Sequence, residues 1–151
     1  MESFMRNIAA NFCIDHSGLV EVKPFGSGHI NNTFRVVFSI DGKEGQYIFQ
    51  RINTRVFRHP DQLMENITRV LKHAGEKLGV QPDSERRCIH LVPARDGRMY
   101  YSCGEECWRS YHFISDARPC EVLENEEQAY QASKAFGKFQ HLLADLPGKR
   151  L

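Results

Sequence analysis

The chain has 151 residues, of which 41% are hydrophobic and 26% are charged, and its formal net charge is +1. This near-neutral balance argues against a nucleic-acid partner or a membrane surface that binds through bulk charge. No apolar stretch approaches the roughly 20 residues of a membrane-spanning helix, and the first residues lack the apolar segment of a secretory signal. The five cysteines have no disulfide-framework spacing, which indicates reduced thiols and a cytoplasmic protein.

The first third of the chain predicts a short helix followed by a three-stranded antiparallel meander. Residues 1–12 have the apolar spacing of an amphipathic helix. The turn Asp41-Gly42-Lys43 is a strong hairpin signal between β-branched and aromatic runs. The predicted strands of the meander are residues 19–22, 34–40 and 47–52.

The rest of the chain predicts a long helix, two or three strands and a final helix. Pro60 and Asp61 are typical of a helix start, and apolar residues at helical spacing continue from Leu63 to Ala74. The stretch from Gly79 to Pro82 should end this helix. The later elements are predicted as strands at 89–92, 99–101 and 107–114, a loop over 116–121 with Pro119, and a helix over roughly 125–144. This order predicts an α+β fold with a mainly antiparallel sheet of about five strands.

A glycine-containing loop interrupts the first hairpin, where Gly26-Ser27-Gly28 lies between two strand runs. Glycine lets the backbone approach phosphate oxygens closely, and free main-chain amides in such a loop bind anions. The loop lacks the third glycine of the protein-kinase pattern. An ordinary hairpin that uses glycine only for its tight turn explains the same residues. The loop alone therefore does not decide between a phosphate-binding loop and an ordinary hairpin.

Two charged residues follow the loop in the order that a kinase requires. Arg51 lies on the third predicted strand, where a kinase places the lysine that pairs with phosphate, and arginine can hold phosphate through two hydrogen bonds. Glu65 lies in the first two turns of the next helix and is the predicted ion-pair partner that would orient Arg51. Taken one at a time, Arg51 is explained equally well as an ordinary exposed cation on a strand, and Glu65 as an ordinary solvated acid on a helix. Their order after the glycine loop favours a phosphate site.

Several runs of sequence resemble the N-acetylhexosamine 1-kinase group of the aminoglycoside phosphotransferase and choline kinase superfamily. Three of them are GSGHINNTF, YIFQRIN and VFRHPDQLMENI, at residues 26–34, 47–53 and 56–67. Residues 108–114 resemble the strand that leads into the hinge between the two kinase lobes, and residues 135–140 resemble the first helix after that hinge. The resemblance covers nearly the whole chain.

The resemblance implies a kinase-like N-terminal lobe over residues 1–114, followed by the hinge and first helix of a truncated second lobe over 115–151. It implies ATP and Mg²⁺ as cofactors, with the metal ligands in the missing lobe. The implied reaction transfers the γ-phosphoryl group to a sugar hydroxyl, with C1 of an N-acetylhexosamine as the expected acceptor. The implied nucleotide-binding residues are Gly26, Ser27, Gly28, His29, Asn31, Asn32, Arg51, Glu65, His112, Phe113 and Ile114.

The catalytic residues of this superfamily lie in an H-x-D loop and in a later aspartate that holds magnesium. Residues 59–66 match the spacing of the H-x-D loop, but Pro60-Asp61 is typical of a helix start and no metal-binding aspartate motif follows. We therefore predict no catalytic residue in this chain. As part of a larger enzyme, the 151 residues alone should have no turnover.

Other interpretations of the sequence stay open beside this one. A non-catalytic nucleotide-binding or dimerising module could use the same lobe, and an exposed interlobe face would favour self-association. Choline, methylthioribose, homoserine and aminoglycosides are rival substrates. Cys103 and Cys107 have the loose spacing of half a zinc site, but no second pair accompanies them. A cysteine nucleophile would need a positioned base, and the sequence indicates none.

Overall fold

A computed structural model of the chain describes residues 1–79, 84–117 and 122–148. It confirms the predicted α+β class, with six strands in the described residues. The elements in chain order are α1 (Glu2–Ala9), β1 (Leu19–Pro24), β2 (Asn32–Ile40), β3 (Lys43–Arg51), α2 (Pro60–Leu78), α3 (Ser84–Arg87), β4 (Leu91–Val92), β5 (Tyr101–Cys103), β6 (Glu106–His112) and α4 (Glu126–Leu142).

The strands form one antiparallel sheet in the order β1-β2-β3-β6-β4, and β5 also pairs with β6. β5 runs along the first half of β6 and β4 along its second half. The predicted turn between β2 and β3 is present. Asp41 and Gly42 have φ angles of 51° and 77°, the left-handed conformation that matches the twist of a tight hairpin.

One face of the sheet, which we call the core face, packs against α1 and the segment that follows it. Phe12 shows how: its ring lies 5.5 Å from the ring of Phe49 on β3, edge to face. Burial of these apolar side chains is the main source of stability in this part of the chain. The buried members of the cluster are Met5, Ile8, Ala9, Phe12, Ile14, Val36, Phe38, Phe49, Val92, Ala94 and Trp108.

The opposite face of the sheet, which we call the helix face, packs against the first half of α2. Met64 on α2 joins Ile52 and Cys107 in a second buried cluster on this side. Because successive strand residues point to opposite faces, the pairing register places Thr33, Gln50 and Arg109 in one row on the helix face. Arg51, one residue after Gln50, lies on the core face.

The chain divides into two compact units. The first contains Met1–Thr68 and Ile89–Phe113, and the second contains Arg69–Cys88 and Ile114–Leu151. The sheet and both buried clusters belong to the first unit. In the second unit, His73 and Lys77 bind the carboxylate of Asp145, and their hydrogen bonds, that of Lys77 foremost, lower its pKa to about 2.

The predicted end of the second helix, at 79–82, and the predicted loop over 116–121 fall partly outside the described residues. Gly79 follows α2 with a φ of 60°, and its N–H donates to the carbonyl of Gly75 at 3.1 Å. Residues 80–83 and 118–121 lie outside the described part of the chain, and so does Pro119 of the predicted loop. In the residues that the structure describes, no helix has the length and apolar character needed to cross a membrane.

Candidate functional site

The loop between β1 and β2 carries both predicted glycines. At its base, the N–H of Phe25 donates to the carbonyl of Thr33 at 2.9 Å and closes the hairpin. Gly26 has a φ of 79°, which favours glycine over any residue with a side chain. A Cβ atom added at Gly26 or at Gly28 would meet no atom within 4 Å. The loop surface at these glycines is therefore uncovered.

The end of the loop is anchored while its middle stays exposed. Asn31 Oδ1 accepts a hydrogen bond from the N–H of Asn53 at 2.9 Å, which ties the loop to the segment after β3. In the described part of the chain, the main-chain N–H groups of Gly28 and His29 donate to no protein acceptor. The side chains of His29 and Asn32 are exposed. These features leave donors available to an incoming anion.

Arg51 lies at the end of β3 on the core face, directly opposite Trp108 of β6. Its Nη2 atom lies 2.8 Å from Glu106 Oε1, and Glu106 Oε2 accepts from Trp108 Nε1 at 2.8 Å. Together with Ile30 and Asn32, Arg51 lines a cavity of about 280 Å³ beside the loop. The charge of Arg51 is thus balanced by a carboxylate that the sequence prediction did not include.

The structure does not bring Glu65 to Arg51. Glu65 is exposed on α2, and within residues 1–79, 84–117 and 122–148 its carboxylate makes no hydrogen bond or ion pair. Its neighbour Met64 packs on the helix face of the sheet, whereas Arg51 lies on the core face. The predicted Arg51–Glu65 pair is therefore not formed, and Arg51 pairs with Glu106 instead.

A hydrogen-bonded row crosses the helix face, and its residues were not among those predicted from the sequence. Gln50 Nε2 donates to Thr33 Oγ1 at 2.8 Å. Gln50 Oε1 accepts from Arg109 Nε at 3.0 Å and from Arg109 Nη2 at 2.6 Å. Arg109 Nη1 lies 4.0 Å from Met64 Sδ. The row therefore joins β2, β3 and β6 to α2. The sequence gives little signal for this row, because each of the three strands also contains other polar residues.

Arg109 is a partly buried cation whose guanidinium has no carboxylate partner among the described residues. Burial lowers its pKa, an effect that the neighbouring Tyr111 and Cys107 oppose. Arg35, on the same face, has a different environment. It binds Gln46 Oε1 at 2.8 Å and lies 3.9 Å from a carboxylate oxygen of Glu21. Of these two cations, Arg109 is the more available to an external anion.

The predicted adenine-binding segment lies at the end of β6. The N–H of Phe113 donates to the carbonyl of Gln46 at 2.9 Å, and the ring of Phe113 packs edge to face against Phe25, with 5.6 Å between centroids. This contact brings the segment to the base of the glycine loop. His112 lies on the core face, and Ile114 belongs to the second unit.

The H-x-D match at residues 59–61 forms the start of α2. Pro60 is the first residue of the helix, and the N–H of Leu63 donates to the carbonyl of His59 at 3.0 Å. Over the described ranges, no group of three or more histidine, cysteine, aspartate or glutamate side chains could hold a metal ion.

The cysteines differ sharply in their environments. Cys107 is 1% exposed, and burial raises the pKa of its thiol to about 11, against the opposing charges of Arg109 and Arg98. At pH 8 about one molecule in a thousand would carry the Cys107 thiolate. Cys13 and Cys103 are free and exposed. The Cys107 environment is that of a structural thiol rather than of a nucleophile.

We expect iodoacetamide at pH 8 to modify Cys13 and Cys103 in the folded chain and to leave Cys107 unmodified until denaturant is added. Only the thiolate reacts, and Cys13 and Cys103 are exposed to the reagent, whereas Cys107 is buried and burial raises the pKa of its thiol. Peptide mass spectrometry of the labelled protein checks this. Equal labelling of Cys107 and Cys103 without denaturant would contradict the buried position of Cys107.

The first unit thus holds an uncovered glycine loop, a hydrogen-bonded row on the helix face, and an aromatic pair at the base of the loop. All three are built on β1, β2, β3 and β6 or on the segments that join them, so the sheet fixes their positions. Compared with the known protein families, the chain matches no family model.

Proposed function

We propose that this chain provides the nucleotide-binding lobe of an ATP-dependent phosphotransferase that acts on a small hydroxylated molecule. The observation that carries the proposal is the uncovered glycine loop between β1 and β2, in a sheet ordered β1-β2-β3-β6-β4 with α2 directly after β3. Kinase lobes combine such a loop over the phosphates with a cation on a neighbouring strand and a following helix. The fold is compatible with that arrangement.

The loop has the features that phosphate binding requires. The main-chain N–H groups of Gly28 and His29 are available in the described structure, and glycine allows close approach of the backbone. At the base of the loop, the Phe25–Phe113 pair offers an apolar edge against which an adenine ring could pack. We propose the loop residues Gly26, Ser27, Gly28, His29, Asn31 and Asn32 for the phosphates and residues 112–114 for adenine.

For the acceptor we propose the C1 hydroxyl of an N-acetylhexosamine, on the sequence resemblance of residues 26–34, 47–53 and 56–67. Choline, methylthioribose, homoserine and aminoglycosides are the alternatives. When bound, Mg²⁺·ATP supplies the γ-phosphoryl group with part of its charge neutralised. We assign no catalytic base here, because the H-x-D match at 59–61 begins α2.

One observation favours a second candidate function, a non-catalytic module that self-associates. Within the described residues α4 has no buried side chain, and its aromatic residues Tyr130, Phe136 and Phe139 are 58%, 62% and 46% exposed. Exposed aromatic side chains on one helix are typical of a surface that binds another protein chain. This candidate does not require the glycine loop to contact a nucleotide, and the following experiment therefore separates the two.

The test is a titration of the ¹⁵N-labelled chain with Mg²⁺·ATP, followed by amide chemical shifts, a readout that detects weak binding. We expect the amides of Gly26, Gly28 and Phe113 to shift together along one binding curve. The amide of Gly42, in the turn at the other end of β2 and β3, should not shift. Saturable shifts of the loop would support the nucleotide-binding lobe, and the absence of shifts at millimolar ATP would refute it.

A matched pair of variants tests whether the backbone of the loop approaches the phosphates. Gly28→Val should preserve folding, because a side chain at this position meets open space, yet it should weaken ATP binding roughly tenfold or more by holding the phosphates away from the amides. Gly137→Ala on α4 is also in open space and should leave binding unchanged. Equal affinities for the two variants would argue against a phosphate at this loop.

A further inference from the structure

We infer that Arg109, oriented by Gln50, is the strand cation that binds the phosphate groups, in the role that the sequence order predicted for Arg51. This inference rests on the proposed function, because it assigns a residue to the same nucleotide site. Four observations carry it: the donors left on Arg109, the face of the sheet on which it lies, its distance from the glycine loop, and the charge around it.

Not all the hydrogen-bond donors of Arg109 are used by its partners in the described residues. A guanidinium carries five N–H groups. Two of them bind Gln50 Oε1 and a third faces Met64 Sδ at 4.0 Å, a weak contact. At least two N–H groups of Arg109 therefore have no protein acceptor in the described part of the chain. Two donors on one planar group match two oxygens of a phosphate.

Arg109 lies on the face of the sheet that a kinase site would use. In kinases the phosphate-binding cation forms an ion pair with the helix that follows β3, so it must lie on the face that this helix covers. Here α2 packs on the helix face, where Arg109 contacts Met64. Arg51 lies on the core face and points away from α2.

The row that holds Arg109 leads directly to the glycine loop. Thr33 is the second residue of β2, just after the loop, and it is joined through Gln50 to Arg109. These three residues are direct partners across neighbouring strands, so about 10 Å separates the Cα atoms of Thr33 and Arg109. A triphosphate held at the loop would therefore extend toward Arg109 along the helix face.

The charge balance also favours Arg109 over Arg51. The charge of Arg51 is already balanced by Glu106, whose carboxylate lies 2.8 Å from Arg51 Nη2 and would repel a phosphate bound beside it. Among the residues that the structure describes, Arg109 is held by the neutral amide of Gln50 and a thioether and by no carboxylate, so no ion pair of this set is lost when an anion arrives. Partial burial strengthens its attraction to an anion, since less water screens the charge.

Gln50 acts as a positioning residue in this arrangement. Its amide fixes the guanidinium through Oε1 and is itself fixed by Thr33, so Arg109 is oriented without being neutralised. A glutamate at position 50 would keep the acceptor oxygens and supply a countercharge. Gln50→Glu should therefore preserve or strengthen the fold while it removes the free charge from the site.

The experiment compares Mg²⁺·ATP, inorganic tripolyphosphate and adenosine as ligands of the 151-residue chain and of three variants. We expect Arg109→Gln and Gln50→Glu to weaken ATP and tripolyphosphate binding roughly tenfold or more, the size of a lost charge-assisted hydrogen bond, with adenosine binding unchanged. Arg51→Gln is the matched control and should change each affinity less than about twofold. Circular dichroism confirms that each variant is folded.

The outcomes separate this inference from the proposed function. The role of Arg109 would be overturned if Arg51→Gln weakened ATP binding, or if neither Arg109→Gln nor Gln50→Glu weakened it. In either case, ATP binding by the wild-type chain would still uphold the nucleotide lobe. Binding of tripolyphosphate that depends on Arg109, without binding of ATP or adenosine, would support the anion site and refute the nucleotide lobe. Gln50→Glu keeps the test decisive if Arg109→Gln does not fold.

Discussion

Trp108→Ala is expected to lower the free energy of unfolding by about 3–5 kcal/mol, the usual cost of removing a large buried aromatic side chain. Trp108 is 1% exposed, and its ring lies 5.8 Å from Phe4 and 6.2 Å from Phe34. Its Nε1 also donates to Glu106. Because the chain has one tryptophan, the variant loses its fluorescence signal. Denaturant unfolding should therefore be followed by far-ultraviolet circular dichroism.

Two further variants make this result interpretable. Trp108→Phe keeps most of the buried ring but removes the hydrogen bond to Glu106, and it should cost less than half as much as Trp108→Ala. Phe136→Ala removes an aromatic ring that is 62% exposed on α4 and should change stability by less than about 0.5 kcal/mol. A Trp108→Ala effect as small as that of Phe136→Ala would contradict the core face described above.

The elements with strong local signals were predicted well. The Asp41-Gly42 turn identifies the β2–β3 hairpin because the two-residue loop requires left-handed backbone angles that these residues tolerate. Pro60 marks the first residue of α2 for a similarly local reason. β3 begins earlier than predicted, at Lys43, because pairing with β2 continues through polar residues that have no strand signal of their own.

Elements that depend on distant partners were predicted less well. The first helix was expected over residues 1–12, but α1 ends at Ala9, and Phe12 forms an isolated bridge with Ala94. No local pattern could indicate a partner more than 80 positions away along the chain. The four residues of α3 (Ser84–Arg87) were not predicted, because a single turn is too short to show helical spacing.

The candidate site shows the same division between local and distant information. The order of glycine loop, third strand and helix could be found in the sequence, but the face on which a strand residue lies depends on the register of the sheet. Arg51 and Gln50 are neighbours in the chain and lie on opposite faces. The partners Glu106 and Arg109 come from β6, more than 50 residues later, and only the folded sheet brings them to β3.

Gly18→Ala is expected to destabilise the first unit by about 1–3 kcal/mol, the range for overpacking, and toward its upper end because the obstacle is backbone. The carbonyl of Gly18 accepts from the N–H of Ser39 at 2.7 Å, so β1 begins in close contact with β2. A Cβ atom at Gly18 would overlap the carbonyl oxygen of Ser39, and the two strands would have to separate. Denaturant unfolding of the variant measures the loss.

Gly75→Ala is the control, and we expect it to raise the free energy of unfolding where Gly18→Ala lowers it. Gly75 lies inside α2, where an added Cβ meets no atom within 4 Å, so alanine should stabilise the helix by about 0.5–1 kcal/mol through its better helix propensity. Both variants reduce the freedom of the unfolded chain in the same way. If one variant stabilises the protein and the other destabilises it, the difference would therefore come from the folded state. If Gly18→Ala were as stable as Gly75→Ala, the close approach of β1 to Ser39 would be refuted.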